Sequence, residues 1–517
     1  MEPANDVSHT ELSVTFQPPL FLERRGWVFE ILRREGVHNV LDIGCGEGDL
    51  ISCLCNPAPW LLEPPASVLK SLATSATVQR EEIECSKLQA AVAHESYLHP
   101  TKVMGLDISA TDLAYAIQGT APRPQSTDSL SVSSIRWEPF EVEIWQGGLQ
   151  SINPEFVDVE CIVSTEVIEH LPENVLQDFA PIMLGAYHPK LLLITTPSYT
   201  FNARFTAPNA PASARSGFLD PTGRTNRIFR HHDHKFEWTI EEFTKWCEQV
   251  ADEWGYEVEV GGVGKPLEKD EWGRDEELGC ASQVAAFRRR EGADYAAGRA
   301  QRLQRVASLQ DVESRPQHVL LSAHVHEANE KARQPVSLQE IGDLTKARMI
   351  YYRDAVMRLR ELWFDDEIAM ACGGWIEVFV RAVEGHPDLR LLTTDTEGLT
   401  DWEIEVVGEA RHDEKVLWRN DVRYEDSDGS TLSSAWTTEL ESPVPEHPVM
   451  GDLEGVKSHW EDSSKEDMVF GDKISPQWPT STLLPDNWGA DEARSWGPAA
   501  DWGEDVTIPA VDTDAVW

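Results

Sequence analysis

Two carboxylates and an imidazole stand at i, i+3 and i+4 in the run Ser164-Thr-Glu-Val-Ile-Glu-His-Leu171: they are Glu166, Glu169 and His170. On a helix that spacing puts all three on one face, one above another. Two carboxylates and an imidazole together make a mixed oxygen and nitrogen site for a divalent cation. Further along, His231-His-Asp-His-Lys-Phe-Glu-Trp238 supplies more imidazoles. Upstream lies a glycine-rich loop, Leu41-Asp-Ile-Gly-Cys-Gly-Glu-Gly-Asp-Leu50. A nucleotide-type loop and a set of metal-ligating residues within one stretch of chain narrow the chemistry sharply.

The loop reads as Asp42-x-Gly-x-Gly-x-Gly48, after a strand and before a helix. Its glycines let the backbone turn sharply and come close to a ligand. It differs from the dinucleotide fingerprint Gly-x-Gly-x-x-Gly, in which a pyrophosphate sits on the helix N-terminus. Asp107 ends the next strand, in Gly105-Leu-Asp-Ile-Ser109, where an acid can accept both hydroxyls of an adenosine ribose. Cys45, inside the loop, reads as a small packing residue rather than a nucleophile.

Residues 1–290 read as one α/β domain. Short apolar strands are expected at Val40–Ile43, Val103–Ile108, Val142–Trp145, Val159–Val163 and Leu191–Thr195, with helices between, such as Glu23–Arg34 and Thr239–Trp254. That alternation predicts a parallel sheet covered on both faces. Tyr256–Val263 and Ser282–Phe287 are expected to pair at the end of the sheet. Residues 56–99 are long for a connection and read as a surface insertion with one helix, about Val68–His94. Residues 291–420 read as a mainly helical accessory region, with a few strands between Leu389 and Val422 and no evident chemistry. Beyond them, residues 421–517 are rich in Asp, Glu, Ser, Pro and Gly and read as a disordered acidic tail.

Bulk properties exclude several classes. The eight cysteines form no Cys-x-x-Cys pair, which fits a reducing compartment and argues against a zinc ribbon or a disulfide framework. Met1–Thr10 is polar and unlike a signal peptide, and no apolar run approaches the roughly 18 residues of a membrane span. A cytoplasmic or nuclear location, with no membrane partner, is the resulting expectation. The net charge of −44 would ordinarily speak against a nucleic-acid partner. Its distribution matters more. Residues 421–517 hold 22 Asp/Glu and 5 Lys/Arg, so the tail alone carries −17. Between Lys190 and Phe236 the balance reverses: Lys190, Arg204, Arg215, Arg224, Arg227, Arg230 and Lys235 face only Asp220 and Asp233. This basic island reads either as a solvated loop or as a phosphate-contacting one.

The glycine loop, with Asp107 and the terminal strand pair, resembles motif I of the S-adenosylmethionine-dependent methyltransferases. Glu166-Val-Ile-Glu-His170 alone does not decide between them, because quinone-type methyltransferases carry similar runs. Asp233-His-Lys-Phe-Glu-Trp238, following Thr196-Pro-Ser-Tyr-Thr-Phe-Asn202, discriminates. Together, from Phe16 to near Phe287, these motifs resemble the small-RNA 3′-end 2′-O-methyltransferases of RNA silencing. The resemblance implies a Rossmann-like class I methyltransferase sheet. It also implies a cofactor site of Asp42, Gly44, Gly46 and Asp107, and catalytic metal ligands Glu166, Glu169, His170 and His234. Gly148, in Trp145-Gln-Gly-Gly148, falls where that family usually has a serine near the adenine. His231 and His232 stay open as alternatives for the fourth ligand and, with a metal-bound water, as proton acceptors. The ligand set suits Mg²⁺ or Mn²⁺. An ion on the terminal 2′- and 3′-hydroxyls would activate the nucleophile and measure the RNA end. Two other readings remain: a metal-independent small-molecule methyltransferase, and an RNA-silencing adaptor acting through its tail.

That tail repeats one theme: Asn487-Trp-Gly489, Ser495-Trp-Gly497 and Asp501-Trp-Gly503. Tryptophan is depleted in polar disordered sequence because it favours burial. The repeats resemble the Trp-Gly hooks that bind Argonaute proteins, which implies such a partner for Trp488, Trp496 and Trp502. The bland alternative is a solubilising acidic tail.

Overall fold

The computed structural model describes residues 11–72, 88, 91–92, 97–122, 135–211, 214–306, 317–394 and 398–412. The Trp-Gly repeats lie outside these residues, as does most of the helix expected over Val68–His94, of which Ala66–Leu72 is described.

The sheet is built from β1 (Asn39–Ile43), β2 (Lys102–Asp107), β3 (Phe140–Gln146), β4 (Cys161–Thr165) and β5 (Leu191–Pro197), all parallel to one another. After the minor hairpin of β6 (Phe218–Leu219) and β7 (Ile228–Phe229), β8 (Tyr256–Val263) and β9 (Ser282–Arg289) complete one side. β8 runs antiparallel to β9, the terminal pair that the sequence predicts, and β9 also runs antiparallel to β5. The order along the sheet places β1 between β2 and β4. The central strands are buried along nearly their whole length, because helices cover both faces.

Local signals set the helix ends. α1 (Leu20–Glu35) stops at Gly36, whose left-handed backbone (φ 60°) accommodates the C-terminal turn. The helix Ile240–Trp254 begins with a capping box between Thr239 and Glu242 and ends at left-handed Gly255.

The accessory region does not separate at residue 290, contrary to the expected boundary. β10 (Val319–His326) adds to the main sheet, antiparallel to β3, so the sheet has eight strands. The described residues fall within one compact unit. Nor is the 56–99 insertion only surface. Trp60, Leu61, Leu88 and Ala91 enter a second core with Trp137 and with apolar residues from 341 to 406. That core is closed by helices Leu338–Tyr352 and Ile376–Gly385 and by a small sheet of β11 (Val356–Arg358), β12 (Leu389–Leu392) and β13 (Glu403–Val406). The indole N–H groups of Trp137 and Trp363 both donate to the Pro59 carbonyl at 3.0 Å, joining the three segments at one oxygen. Large apolar side chains explain the correction: tryptophans in a connection are a second core's share of the chain.

Trp60 is 3% exposed and meets Tyr97 edge-on at 4.8 Å between ring centroids. Trp60→Ala should lower the unfolding free energy by about 3–5 kcal/mol in urea titrations. A surface insertion would lose well under ~1 kcal/mol.

Candidate metal and cofactor site

Apart from His234, which lies in the segment between β7 and the helix Ile240–Trp254, the sequence-predicted site residues lie at or just past the carboxyl ends of β1 to β4, the edge where open α/β sheets bind ligands. The glycine loop leaves β1 with Gly44, Gly46 and Gly48 at φ 72°, 51° and 81°. These are left-handed angles that favour glycine. A Cβ on Gly44 would also lie 2.4 Å from the Val167 side chain, so the loop packs directly against the turn that carries Glu166.

Asp107 is buried and anchored. Its Oδ2 accepts the Gly46 N–H at 2.9 Å and its Oδ1 accepts the Ser109 N–H at 2.9 Å. Burial still raises its pKa. Asp42 is 2% exposed, and its Oδ1 has no hydrogen-bond partner. Burial, with the Asp107 charge second, pushes Asp42 up from 3.8 to about 8. Gly148 follows β3; a Cβ there would fall 2.4 Å from Gln150 Oε1, so a side chain at this position would have to displace Gln150.

The segment Glu166–His170 is not a helix face. Glu166 sits at φ 55° directly after β4, and Ile168–His170 form a single 3-10 turn. Val167, Ile168 and Leu171 all point into the core and fix that turn. The one-face expectation therefore fails, and Glu166 parts from the other two. Its Oε1 accepts the Thr195 hydroxyl at 2.8 Å, and its Oε2 pairs with Arg24 of α1 at 2.7 Å.

Glu169, His170 and His234 do converge: one ligand atom from each lies within 4.8 Å of the others. His231, Asp233 and His234 form an overlapping group of the same kind. Glu169 is fully buried, with Oε2 accepting the Thr196 hydroxyl at 2.9 Å and Oε1 without a partner. Burial and then the neighbouring Glu166 charge raise its pKa well above the usual carboxylate range. Burial, then the charge of His234, lowers His170 to about 4, so its ring is neutral and its lone pair available. Its Nδ1 lies 3.1 Å from Asp233 Oδ2, yet neither atom makes a hydrogen bond. Three buried polar atoms without hydrogen bonds, on residues of ligand type, fit a bound cation.

His234 is oriented by Glu237, which the sequence reading passed over. His234 Nδ1 donates to Glu237 Oε1 at 2.8 Å, leaving Nε2 as the lone-pair nitrogen. Glu237 is 1% exposed and also accepts from the Asn202 amide and the Arg230 N–H. The i, i+3 spacing of His234 and Glu237 was its only sequence signal. His231 pairs with Asp233, and exposed His232 lies against Phe218. The backbone also ties the two segments, because the Lys235 N–H donates to the Glu169 carbonyl at 2.7 Å.

The basic island is largely balanced. Lys190, Arg204, Arg224, Arg227 and Arg230 each have an acidic partner, and Arg204 is buried against Asp270 and Asp275. Among the described residues, no helix is long and apolar enough to cross a membrane.

Asp42 gives a pH signature. With a folded pKa near 8 against an ordinary 3.8, the native chain keeps a proton that the unfolded chain has released. Stability should therefore fall as pH rises through that window. In cofactor-free thermal melts from pH 5 to 8, Asp42→Asn should flatten the slope; an unchanged slope would remove Asp42 as its source.

No family model matches the chain. A small RNA 2′-O-methyltransferase of Arabidopsis thaliana is 28% identical over 274 residues, covering 53% of this chain and 23% of that protein. The Drosophila melanogaster protein of the same name is 34% identical over 157 residues, covering 30% and 36%. That of Schizosaccharomyces pombe is 27% identical over 254 residues, covering 48% and 54%. These matches thus span 23% to 54% of the relatives' own lengths. Among solved structures, a small RNA methyltransferase superposes with a TM-score of 0.37 at 23% identity, over 61% of this chain and 28% of that one. The fold assignment stands on the strand order above. By sequence, this chain is similar to the small RNA 2′-O-methyltransferases of a plant, an insect and a yeast.

Proposed function

We propose that this chain transfers a methyl group from S-adenosylmethionine to the 2′-hydroxyl of the 3′-terminal ribose of small RNAs, and so protects them in RNA silencing. The observation that carries the proposal is the group of Glu169, His170 and His234, in which Glu169 Oε1 and His170 Nδ1 make no hydrogen bond, next to a turn whose Val167 packs against the glycine loop at Gly44. The likeness to proteins named for this activity supports it.

In this reading Glu169, His170 and His234 hold a divalent cation, Mg²⁺ or Mn²⁺, with Glu166 as the further ligand that the resemblance implies. In the structure Glu166 is instead held by Arg24 and Thr195. When bound, the ion lowers the pKa of a ribose hydroxyl, and the cofactor supplies an electrophilic methyl group. The chain's own residues do the rest. Glu237 holds the His234 ring so that Nε2 faces the cluster. Burial keeps His170 neutral. Asp107, fixed by two backbone N–H groups, retains lone pairs for the cofactor ribose, and the glycines admit the cofactor close to the backbone. Water is excluded around Glu169 by Val167, Ile168 and the ends of β4 and β5.

Transfer of labelled methyl to a short RNA tests this reading. It should stop in EDTA and return with Mg²⁺ or Mn²⁺. Glu169→Ala and His234→Ala should abolish transfer yet bind S-adenosylhomocysteine normally in calorimetry. RNAs ending in a 3′-phosphate or a 3′-deoxyribose should not be methylated. Turnover that survives EDTA, or efficient use of blocked ends, would overturn the metal and end-measuring parts.

We also propose that the tail recruits an Argonaute-family partner through Trp488, Trp496 and Trp502. Weak single sites on one chain add through effective concentration. Replacing all three with Ala should abolish partner pull-down and leave turnover on free RNA at the wild-type level. Pull-down that survives the triple change would reject the hooks.

A further inference from the structure

Residues 291–420 carry no chemistry recognisable in the sequence, yet one of them reaches the cofactor edge. β10 runs antiparallel to β3 with Val319 opposite Gln146. Residue 318 therefore lands beside the turn where the chain leaves β3, at Gly147–Gly148. His318 Nε2 lies 2.8 Å from the Gly148 carbonyl oxygen. A carbonyl only accepts, so Nε2 carries the proton and Nδ1 is the acceptor nitrogen. That Nδ1 is buried and has no partner. The imidazole stacks on fully buried Phe156, with centroids 5.6 Å apart and planes at 28°. It also approaches Gly147 so closely that a Cβ there would lie 2.1 Å from its Cδ2. From the other side, the Gly147 N–H donates to the Asp107 carbonyl at 2.9 Å, and the Gln146 side chain donates to the Ile108 carbonyl at 3.1 Å.

We infer that His318 is a positioning residue of the cofactor site: it clamps the Gly147–Gly148 turn that borders the adenine, and so makes the accessory strand a working part of cofactor binding. The inference rests on the methyltransferase reading, because that reading sets an adenosine beside Asp107 and Gly148. The turn is short, glycine-rich and without side chains of its own to hold it. Asp107 pins one side and His318 the other. Burial lowers the pKa of His318, which keeps the ring in the neutral form that this hydrogen-bond pattern requires.

The test is calorimetric titration of the full chain with S-adenosylhomocysteine, for wild type, His318→Ala and His318→Gln. The glutamine amide can replace the Nε2–H donor. His318→Ala should raise Kd by roughly three- to tenfold, the range for one lost hydrogen bond. His318→Gln should restore most of it. In methyl-transfer assays the cofactor KM should rise for His318→Ala, while kcat at saturating cofactor and the KM for RNA hold. A wild-type Kd in His318→Ala would overturn the inference. So would equal weakening in both variants, which would mark a packing role only. Failure of the wild type to bind S-adenosylhomocysteine would instead overturn the methyltransferase reading itself.

Discussion

A carboxylate buried without full compensation organises this molecule. Glu169 is removed from water at the ends of β4 and β5, with one hydroxyl on Oε2 and nothing on Oε1. An unsatisfied buried polar atom costs on the order of 1–3 kcal/mol, and more if the group is charged. The surroundings are arranged to hold it there. Thr196 comes from β5, and the Glu169 carbonyl receives the Lys235 N–H, which brings the His231–Trp238 segment over the turn. His170 Nδ1 and Asp233 Oδ2, 3.1 Å apart and without hydrogen bonds, lie in the same cluster. In the proposed reading a divalent cation would convert these separate penalties into coordination, so that the stability of the cluster and its proposed chemistry would have the same origin.

The cofactor loop is coupled to this cluster by contact. Val167 fills the space that a Cβ on Gly44 would need, so the loop can approach the turn only because residue 44 is glycine. Behind the loop, burial and then the Asp107 charge raise the proton affinity of Asp42, and burial raises that of Asp107. Arg24 supplies the compensating positive charge on the metal side, at Glu166. Charge balance across the edge therefore depends on α1, which the sequence shows only as a helix over Glu23–Arg34.

Much of the site was legible because its signals are local. The glycine spacing, the acid ending β2 and the His234 motif each sit within a few residues, and the first two occupy the carboxyl ends of β1 and β2. The Glu166-to-His170 geometry was misread because i, i+3, i+4 spacing is shared by a helix face and by a turn entered from a left-handed residue. Only packing of Val167, Ile168 and Leu171 chooses between them. Long-range pairing hid the rest. Arg24 meets Glu166, Arg230 meets Glu11 and Trp60 meets Trp363 across stretches that no periodicity links. The basic island looked unbalanced for the same reason: Glu173, Glu242, Asp270 and Asp275 lie outside the window that defined it.

The accessory region follows from two needs of the α/β unit. β3 would otherwise be the open edge of the sheet, and β10 covers it while carrying His318 to the turn after β3. Trp60, Leu61 and Trp137 emerge from connections of the same unit and share their core with the helices and small sheet beyond residue 330. A chain ending at residue 290 would lose both, exposing a strand edge and a tryptophan-rich surface at once. The 56–99 insertion and the accessory region are thus two halves of one core. The second half is what allows the first to be long and apolar, and its strand links that core to the cofactor edge.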